Sequence, residues 1–238
     1  MSDMSTPIRV LRRIKAKFTA RRVRSSPFYS EWMRSLEEGR TPLSDQIPWI
    51  TFAAREFLVK NLRPTFTVFE YGSGGSTLFF AQRVKEVVTV EHDPDWHGQV
   101  QVALRENNVS NCTLSLIPPT LGLYLDNTSP ADPLAYASAN KTYLDHHFYD
   151  YVTLIDQYPD EHFDLVAVDG RARPSCINHA QSKVKKGGFL LLDNAERDWY
   201  QGSMQLLDGW NIRHSNKGLI PYIRGHVQTT IWEKSRAD

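Results

Sequence analysis

Residues 68–77 read Val68-Phe69-Glu70-Tyr71-Gly72-Ser73-Gly74-Gly75-Ser76-Thr77, an apolar run that ends in a glycine-rich turn. The run predicts a buried β-strand, and the residues after the turn predict a helix that begins near Ser76. Glycines in such a turn let the backbone approach a ligand closely, and the first N–H groups of the helix point towards it. The segment therefore predicts a strand–turn–helix unit with a ligand at the turn.

An acidic residue ends the next predicted strand. The run 87–90 leads into Glu91, which stands 19 residues after Gly72. In nucleotide-binding α/β units a carboxylate at this distance accepts hydrogen bonds from the ribose hydroxyls. The two signals together predict a ligand that contains adenosine. A tight turn whose glycines serve packing alone is the structural alternative.

Residues near the turn separate two classes of cofactor. A dinucleotide site prefers a third glycine where Thr77 stands. S-adenosylmethionine has no pyrophosphate, and its amino group and sulfonium are positively charged, so an acidic Glu70 beside the turn is favourable. An NAD(P)-dependent oxidoreductase is the alternative function, because both classes use a glycine-rich turn and a ribose carboxylate.

From residue 65 onward, short β-rich runs alternate with helical segments. This alternation predicts a doubly wound α/β fold with a mostly parallel sheet covered on both faces. The last two runs follow each other without a long helix, which predicts an antiparallel terminal hairpin. The predicted strands are Thr67–Tyr71, Glu86–Glu91, Cys112–Ile117, Phe163–Asp169, Gly188–Asp193, Trp210–His214 and Val227–Trp232. The predicted helices are Phe28–Leu36, Trp49–Asn61, Ser76–Val84, Trp96–Asn107 and Pro174–Lys186.

Composition divides the chain into parts. At 238 residues it can bury one good core. We expect a basic arm over residues 1–27, an N-terminal helical extension over 28–64 and the α/β domain over 65–238. An insertion at about 120–160 breaks the alternation and is too long for an ordinary connection. It is typical of a lid or a substrate wall, with a structural helical insert as the alternative, and it carries Tyr124, Tyr136, Tyr143, His146, His147, Phe148, Tyr149 and Tyr151.

The net charge of +1 hides an asymmetry along the chain. Residues 1–25 contain eight Lys or Arg and a single acidic residue, Asp3, so the remainder has an acidic excess. Phosphate contacts need positive charge near the site, which argues against nucleic acid binding across the domain face. We expect a solvated tail for this arm. Contact of residues 8–24 with an anionic membrane surface or a partner protein is the alternative.

Apolar runs and cysteines indicate the compartment. No apolar run approaches the roughly 20 residues that cross a bilayer, and the N-terminus lacks the pattern of a secretory signal. Cys112 and Cys176 suit free thiols in a reducing compartment better than a disulfide. We therefore expect a cytoplasmic protein, peripheral at a membrane if the arm binds one.

Glu70, Gly72 and Gly74 resemble the first motif of the class I S-adenosylmethionine-dependent methyltransferases, an acidic residue before a glycine-rich turn. The resemblance continues through Glu91 and the later runs 163–170 and 186–194, and covers roughly residues 65–235. It implies a seven-stranded sheet with an antiparallel last strand, and S-adenosylmethionine as cofactor. The cofactor contacts expected on these grounds are Glu70, Tyr71, Gly72, Ser73, Gly74, Ser76, Thr77, Glu91, His92 and Asp169.

Polar side chains end two predicted strands that are expected to be neighbours. Asp169 follows one strand, and Asp193 and Asn194 follow the other. Strands about 4.8 Å apart bring such side chains together, and three oxygen ligands suit Mg²⁺. The pattern resembles the metal-dependent O-methyltransferases of the catechol type. Acidic residues that merely cap a helix or hold an arginine are the alternative.

One departure from the catechol-type pattern concerns the base. Those enzymes place a lysine three residues after the first aspartate, whereas this chain has Ala172 between Arg171 and Arg173. Arginine stays protonated and is a poor base. Either arginine is expected to bind an acidic group of the substrate. Asp169 or a histidine of the insertion, His146 or His147, is expected to accept the proton.

These observations predict a methyltransferase that acts on a small-molecule acceptor. O-methylation is expected, on a hydroxyl of a sugar or glycan type, with Mg²⁺ assisting. The expected catalytic residues are Asp169, Arg171, Arg173 and Asp193. Besides the oxidoreductase, a non-catalytic module tethered by its basic arm is an alternative. The sequence leaves the oligomeric state open.

Overall fold

A computed structural model describes residues 23–122 and 129–236. The solvated tail expected for the basic arm, and the alternative contacts of residues 8–24, fall almost entirely outside the described residues. Tyr124 of the insertion also lies outside them.

The main sheet has seven strands in the spatial order β3-β2-β1-β6-β7-β9-β8. Strands β1, β2, β3, β6 and β7 pair in parallel, and β9 pairs antiparallel with both β7 and β8. The predicted α/β fold class with an antiparallel terminal hairpin is therefore confirmed. The strands are β1 (Thr67–Tyr71), β2 (Glu86–Glu91), β3 (Cys112–Leu116), β4 (Thr120–Leu121), β5 (His146–His147), β6 (Phe163–Val168), β7 (Val184–Leu192), β8 (Asn211–Leu219) and β9 (His226–Glu233).

The helices begin where side chains or prolines cap them. Asp93 accepts a hydrogen bond from Trp96 N, and Pro94 follows it, so α5 begins two residues before the predicted start. Thr51 caps α3, which delays its start to Phe52. The helices are α1 (Tyr29–Ser35), α2 (Pro42–Asp45), α3 (Phe52–Asn61), α4 (Gly75–Ala81), α5 (Pro94–Glu106), α6 (Tyr149–Thr153), α7 (Arg173–Lys183) and α8 (Gln201–Met204).

Two apolar cores cover the two faces of the sheet. Side chains alternate along a strand, so Val68 packs with α3 and α4 on one face, whereas Phe69 and Tyr71 pack with α6 and α7 on the other. From β1 the sheet extends through β2 and β3 on one side, and later through β6 and β7 on the other. The direction in which strands are added therefore reverses between the neighbouring strands β1 and β6. Open α/β sheets bind ligands at such a switch point, beyond the carboxyl ends of the strands.

The insertion serves both the core and the surface. It contains the two-stranded sheet β4-β5 and helix α6, neither of which was predicted. Phe148, Tyr151 and Ile155 are buried in the main core. Ser138 and Asn140 border a cavity described below. One part of the insertion therefore belongs to the core, and another part lines a cavity.

Two further expectations concern the helices and the cysteines. Within the described residues, no helix is both long enough and apolar enough to cross a membrane. Cys112 and Cys176 are free thiols, and Cys176 is buried.

Candidate functional site

A cavity of about 650 Å³ lies at the carboxyl ends of β1, β2, β6 and β7. The glycine-rich turn forms one wall and the ends of β6 and β7 form another. Predicted cofactor contacts divide between two positions. Those that line the cavity are Gly72, Ser73, Gly74, Ser76, Glu91, His92 and Asp169. Those that are buried behind its wall are Glu70, Tyr71 and Thr77.

Glycine is required at Gly72. Its φ is +90°, and a Cβ there would lie 2.8 Å from Gly170 Cα. Gly170 is equally confined, because its Cβ would meet the Tyr151 hydroxyl at 1.9 Å. The carboxyl ends of β1 and β6 therefore approach each other more closely than any side chain would allow. This close approach holds the turn against the floor of the cavity.

Glu70 braces the turn from beneath. The Thr77 hydroxyl donates to Glu70 Oε2 at 2.6 Å and accepts from Gly74 N at 2.9 Å. Burial raises the pKa of Glu70 to about 7, although hydrogen bonds from Ser76 and Thr77 act in the opposite direction. Tyr71 lies in the core, where its hydroxyl donates to Val152 O. In the structure these residues shape the turn and do not face the cavity.

Glu91 ties the turn to the end of β2. Its Oε2 accepts from both the backbone N–H and the hydroxyl of Ser73, at 3.1 and 3.2 Å. Its Oε1 accepts from His92 N at 2.7 Å and Asp93 N at 2.9 Å. Burial acts to raise the pKa of Glu91, but the His92 side chain, whose Nδ1 lies 2.6 Å from Oε1, and the backbone hydrogen bonds from Asp93 and His92 outweigh it and hold the pKa below its ordinary value. Both oxygens are thus occupied by protein donors.

Residues from separate parts of the chain complete the cavity. Trp96 Nε1 donates to Ser73 O at 2.7 Å, which fixes the indole beside Gly74. Pro42 and Trp49 come from the helical extension. Ile220, Ile223 and Val227 come from the loop between β8 and β9 and the start of β9. The sequence analysis included His92 among the cofactor contacts but missed these apolar residues, because no local pattern marks them.

Arg173 lies between the two strand ends where a metal was predicted. Its guanidinium donates to the carbonyl oxygens of Gly170, Asp169 and Asp193, to Asp169 Oδ1 at 2.9 Å and to Asn194 Oδ1 at 3.3 Å. A guanidinium has five N–H donors, and all are used. Arg173 therefore has no donor left for a substrate, and its predicted role in binding an acidic group does not fit.

The predicted Mg²⁺ site does not fit these residues. The Asp169 and Asn194 oxygens that would bind the metal accept from a permanent cation. Asp193 Oδ1 accepts from the Thr229 hydroxyl at 2.7 Å. Among the described residues, no cluster of three or more His, Cys, Asp or Glu side chains could hold a metal ion. The guanidinium supplies the positive charge that the prediction assigned to Mg²⁺.

The two aspartates differ in their access to the cavity. Asp193 is 2% exposed, and burial together with the charge of Asp169 raises its pKa to about 7. The Asp169 side chain is 29% exposed. Burial also raises the pKa of Asp169, against the opposing effect of Arg173. Asp169 pairs with Arg173 through Oδ1, and its Oδ2 has no protein partner in the described part of the chain.

Arg171 and His92 border the same wall. Arg171 Nε donates to His92 Nε2 at 3.3 Å, and the guanidinium lies 5.8 Å from the Tyr143 ring. Among the described residues that line this cavity, His92 is the one histidine. The predicted proton acceptors His146 and His147 lie on β5 and line neither this cavity nor the second one.

A second cavity of about 370 Å³ adjoins the first. The two cavities share wall residues Gly170, Arg171, Arg173 and Arg197. The remaining wall comes from the insertion, from Ala172 and Pro174 at the start of α7, and from the segment before α8. Arg197 was not singled out in the sequence, since a lone arginine in a loop carries no pattern.

Comparison with known proteins gives matches to solved structures only. No protein-family model and no curated protein matches this chain. The O-methyltransferase TomG from Streptomyces achromogenes, in complex with SAM, matches with a TM-score of 0.55 and 16% identity over 84% of this chain and 92% of that chain. An rRNA methylase from Streptococcus thermophilus matches with a TM-score of 0.52 and 14% identity, over 77% and 95% of the two chains.

A protein from Streptococcus mutans in complex with SAH gives the same TM-score of 0.52 at 14% identity, over 76% of this chain and 95% of that chain. This chain has the class I S-adenosylmethionine-dependent methyltransferase fold. The methyltransferase fold accounts for the seven-stranded order and the reversed last strand. It does not identify the acceptor, because one fold hosts many substrates.

Proposed function

We propose that this protein is an S-adenosylmethionine-dependent methyltransferase that acts on a hydroxyl of a small molecule without a resident metal ion. The observation that carries the proposal is the pair of adjoining cavities. One is bounded by the glycine-rich turn, the other lies beyond it, and Asp169 borders the first at their shared wall. A volume of about 370 Å³ is within the range of small-molecule sites.

The cofactor cavity offers groups suited to each part of S-adenosylmethionine. The backbone N–H groups of Gly75 and Ser76, at the start of α4, suit its carboxylate. Asp93 suits the ribose, and Trp96 with Ile220 and Ile223 suits the adenine. When bound, the cofactor supplies an electrophilic methyl group on its sulfonium.

Asp169 is the group proposed to accept the proton of the acceptor hydroxyl. Its Oδ1 is fixed by Arg173 at 2.9 Å, which leaves Oδ2 for the acceptor. Burial raises the pKa of Asp169, and a raised pKa makes a carboxylate a better base. His92 is less suited, because its Nε2 accepts from Arg171 and its Nδ1 lies 2.6 Å from Glu91 Oε1.

The proposal is tested in two stages. Calorimetric titration with S-adenosylmethionine should show binding, and NADH should show none. Transfer of a tritiated methyl group from the cofactor to a cell extract should then label the small-molecule fraction, and Asp169→Asn should slow transfer about 100-fold while cofactor affinity changes little. NADH binding, or label in the RNA fraction, would contradict the proposal.

A further inference from the structure

The second cavity has an unbalanced charge. Its cationic wall residues are Arg171, Arg173 and Arg197, and no Asp or Glu is among the described residues that line it. Arg173 is neutralised by Asp169. Arg171 and Arg197 have no ion pair with any carboxylate in residues 23–122 and 129–236. The charge of Asp169 also acts on Arg171 and Arg197, so one carboxylate faces three guanidinium groups, and the recess keeps a net positive charge that an anionic ligand would balance.

Donors on both arginines remain available. Arg171 uses only Nε, towards His92, so its terminal N–H groups have no protein acceptor among the described residues. Arg197 uses one terminal nitrogen towards Asn194 Oδ1 at 2.8 Å and the other towards the Tyr200 hydroxyl at 3.1 Å. Each of these nitrogens carries a second N–H. Both side chains can therefore donate to an oxyanion while they keep their present contacts.

Aromatic rings hold the guanidinium groups in place before any ligand binds. Arg197 lies 5.7 Å from the Trp199 ring and 5.8 Å from the Tyr200 ring. Arg171 lies 5.8 Å from the Tyr143 ring. These contacts limit the conformational freedom that binding would otherwise remove, and planar guanidinium groups match carboxylate and phosphate oxygens geometrically.

We propose that the second cavity binds an anionic acceptor, a small molecule that carries a carboxylate or phosphate group held by Arg171 and Arg197. This inference rests on the proposed function, since it names the substrate class of the same site. Ser138 and Asn140 of the insertion supply neutral polar groups to the same cavity. A polymer such as RNA is disfavoured, because the α/β domain has an acidic excess.

The first experiment tests the anion site without assuming the acceptor. Inorganic phosphate and acetate are added to the intact protein at constant ionic strength, with chloride as reference. Arginine Nε–H signals in ¹H–¹⁵N NMR spectra are assigned by their loss in Arg171→Met and Arg197→Met. We expect phosphate or acetate to shift these two signals selectively. Arg105, an exposed arginine on α5, is the control and should not respond.

The second experiment identifies the class of anion. Calorimetry compares 3-hydroxybenzoate with its methyl ester, and glucose 6-phosphate and glucuronate with glucose. One charged compound should bind at least tenfold tighter than its neutral partner, as expected for charge-assisted hydrogen bonds. Arg171→Met and Arg197→Met should each reduce this preference below about threefold, whereas Arg105→Met should leave it unchanged.

The outcomes separate this inference from the proposed function. Binding of S-adenosylhomocysteine without any anion preference, or a preference that survives both arginine substitutions, would overturn the anionic acceptor and leave the methyltransferase proposal intact. Selective shifts of the arginine signals in a protein that does not bind S-adenosylhomocysteine would support the anion site and overturn the proposed function.

Discussion

The two halves of the site are built in different ways. In the cofactor half, Glu70 and Glu91 hold the glycine-rich turn through hydrogen bonds to residues close to it in sequence. In the acceptor half, Arg173 joins the ends of β6 and β7 through charge and carbonyl contacts. The first half depends on backbone geometry, and the second depends on a buried cation. Substitutions should therefore affect the two halves through different mechanisms.

The largest expected effect is on the acceptor half. Arg173→Met removes the buried guanidinium and leaves the Asp169 charge without its partner, which should lower the free energy of unfolding by about 3–5 kcal/mol. Urea denaturation measures the loss. Arg173→Lys should recover less than half of it, because an ammonium cannot replace the planar fork. Arg105→Met should change stability by less than about 0.5 kcal/mol. A stable Arg173→Met variant would show that the cation does not hold the strand ends together.

A smaller effect is expected for the turn. Gly72→Ala places a Cβ at a φ of +90° and against Gly170, so stability should fall by about 1–3 kcal/mol. Cofactor affinity, measured by calorimetry, should fall at least tenfold because the turn must shift. Gly98→Ala on α5 is the matched control, since nothing lies within 4 Å of its added Cβ. Equal cofactor affinities for the Gly72→Ala variant and the parent protein would show that the turn is not part of the binding site.

Both halves contribute to the dependence of stability on pH. Burial raises the pKa of Glu70 from 4.5 to about 7, and burial with the Asp169 charge raises the pKa of Asp193 from 3.8 to about 7. A carboxyl with a raised pKa binds its proton more tightly in the folded state. Its contribution is complete below the unfolded pKa and is lost as the pH rises through 7.

Urea denaturation between pH 4 and pH 8 checks this pH dependence. The parent protein should lose stability over this range, and Glu70→Gln should lose less because glutamine does not titrate. Asp160→Asn is the control, since this carboxyl is exposed and its hydrogen bond from Lys183 lowers its pKa. If the stability of Glu70→Gln changed with pH in parallel with that of the parent protein, the raised pKa of Glu70 would be contradicted.

The smallest expected effect is that of a chelator. Because Arg173 occupies the oxygens that would bind Mg²⁺, millimolar EDTA should leave methyl transfer unchanged, and added Mg²⁺ should not stimulate it. The assay uses protein dialysed against the chelator beforehand. Loss of transfer that Mg²⁺ restores would show that the guanidinium moves aside for a metal.

The sequence also predicted part of the site. The turn at Gly72 and the strand end at Glu91 lie in contiguous runs whose period and glycines are visible locally, and both line the cofactor cavity. Asp169, Asp193, Asn194 and Arg173 were recognised as belonging together. Their arrangement was not predictable, because the same pattern suits a metal with two carboxylates or an arginine that binds them. Packing, with Thr229 as the partner of Asp193, decides between these alternatives.

The amino-acid sequence by itself determined the order of the seven main strands and the five longest helices, the reversed last strand and the position of the glycine-rich turn. Each of these follows from local periodicity, turn chemistry or the spacing of a few neighbouring residues. Only the tertiary structure decided that Arg173 replaces the expected metal and that Arg171, Arg197 and Ser138 line one recess. Those facts depend on which distant segments meet, and the energy of a buried charge is set by the groups around it after folding.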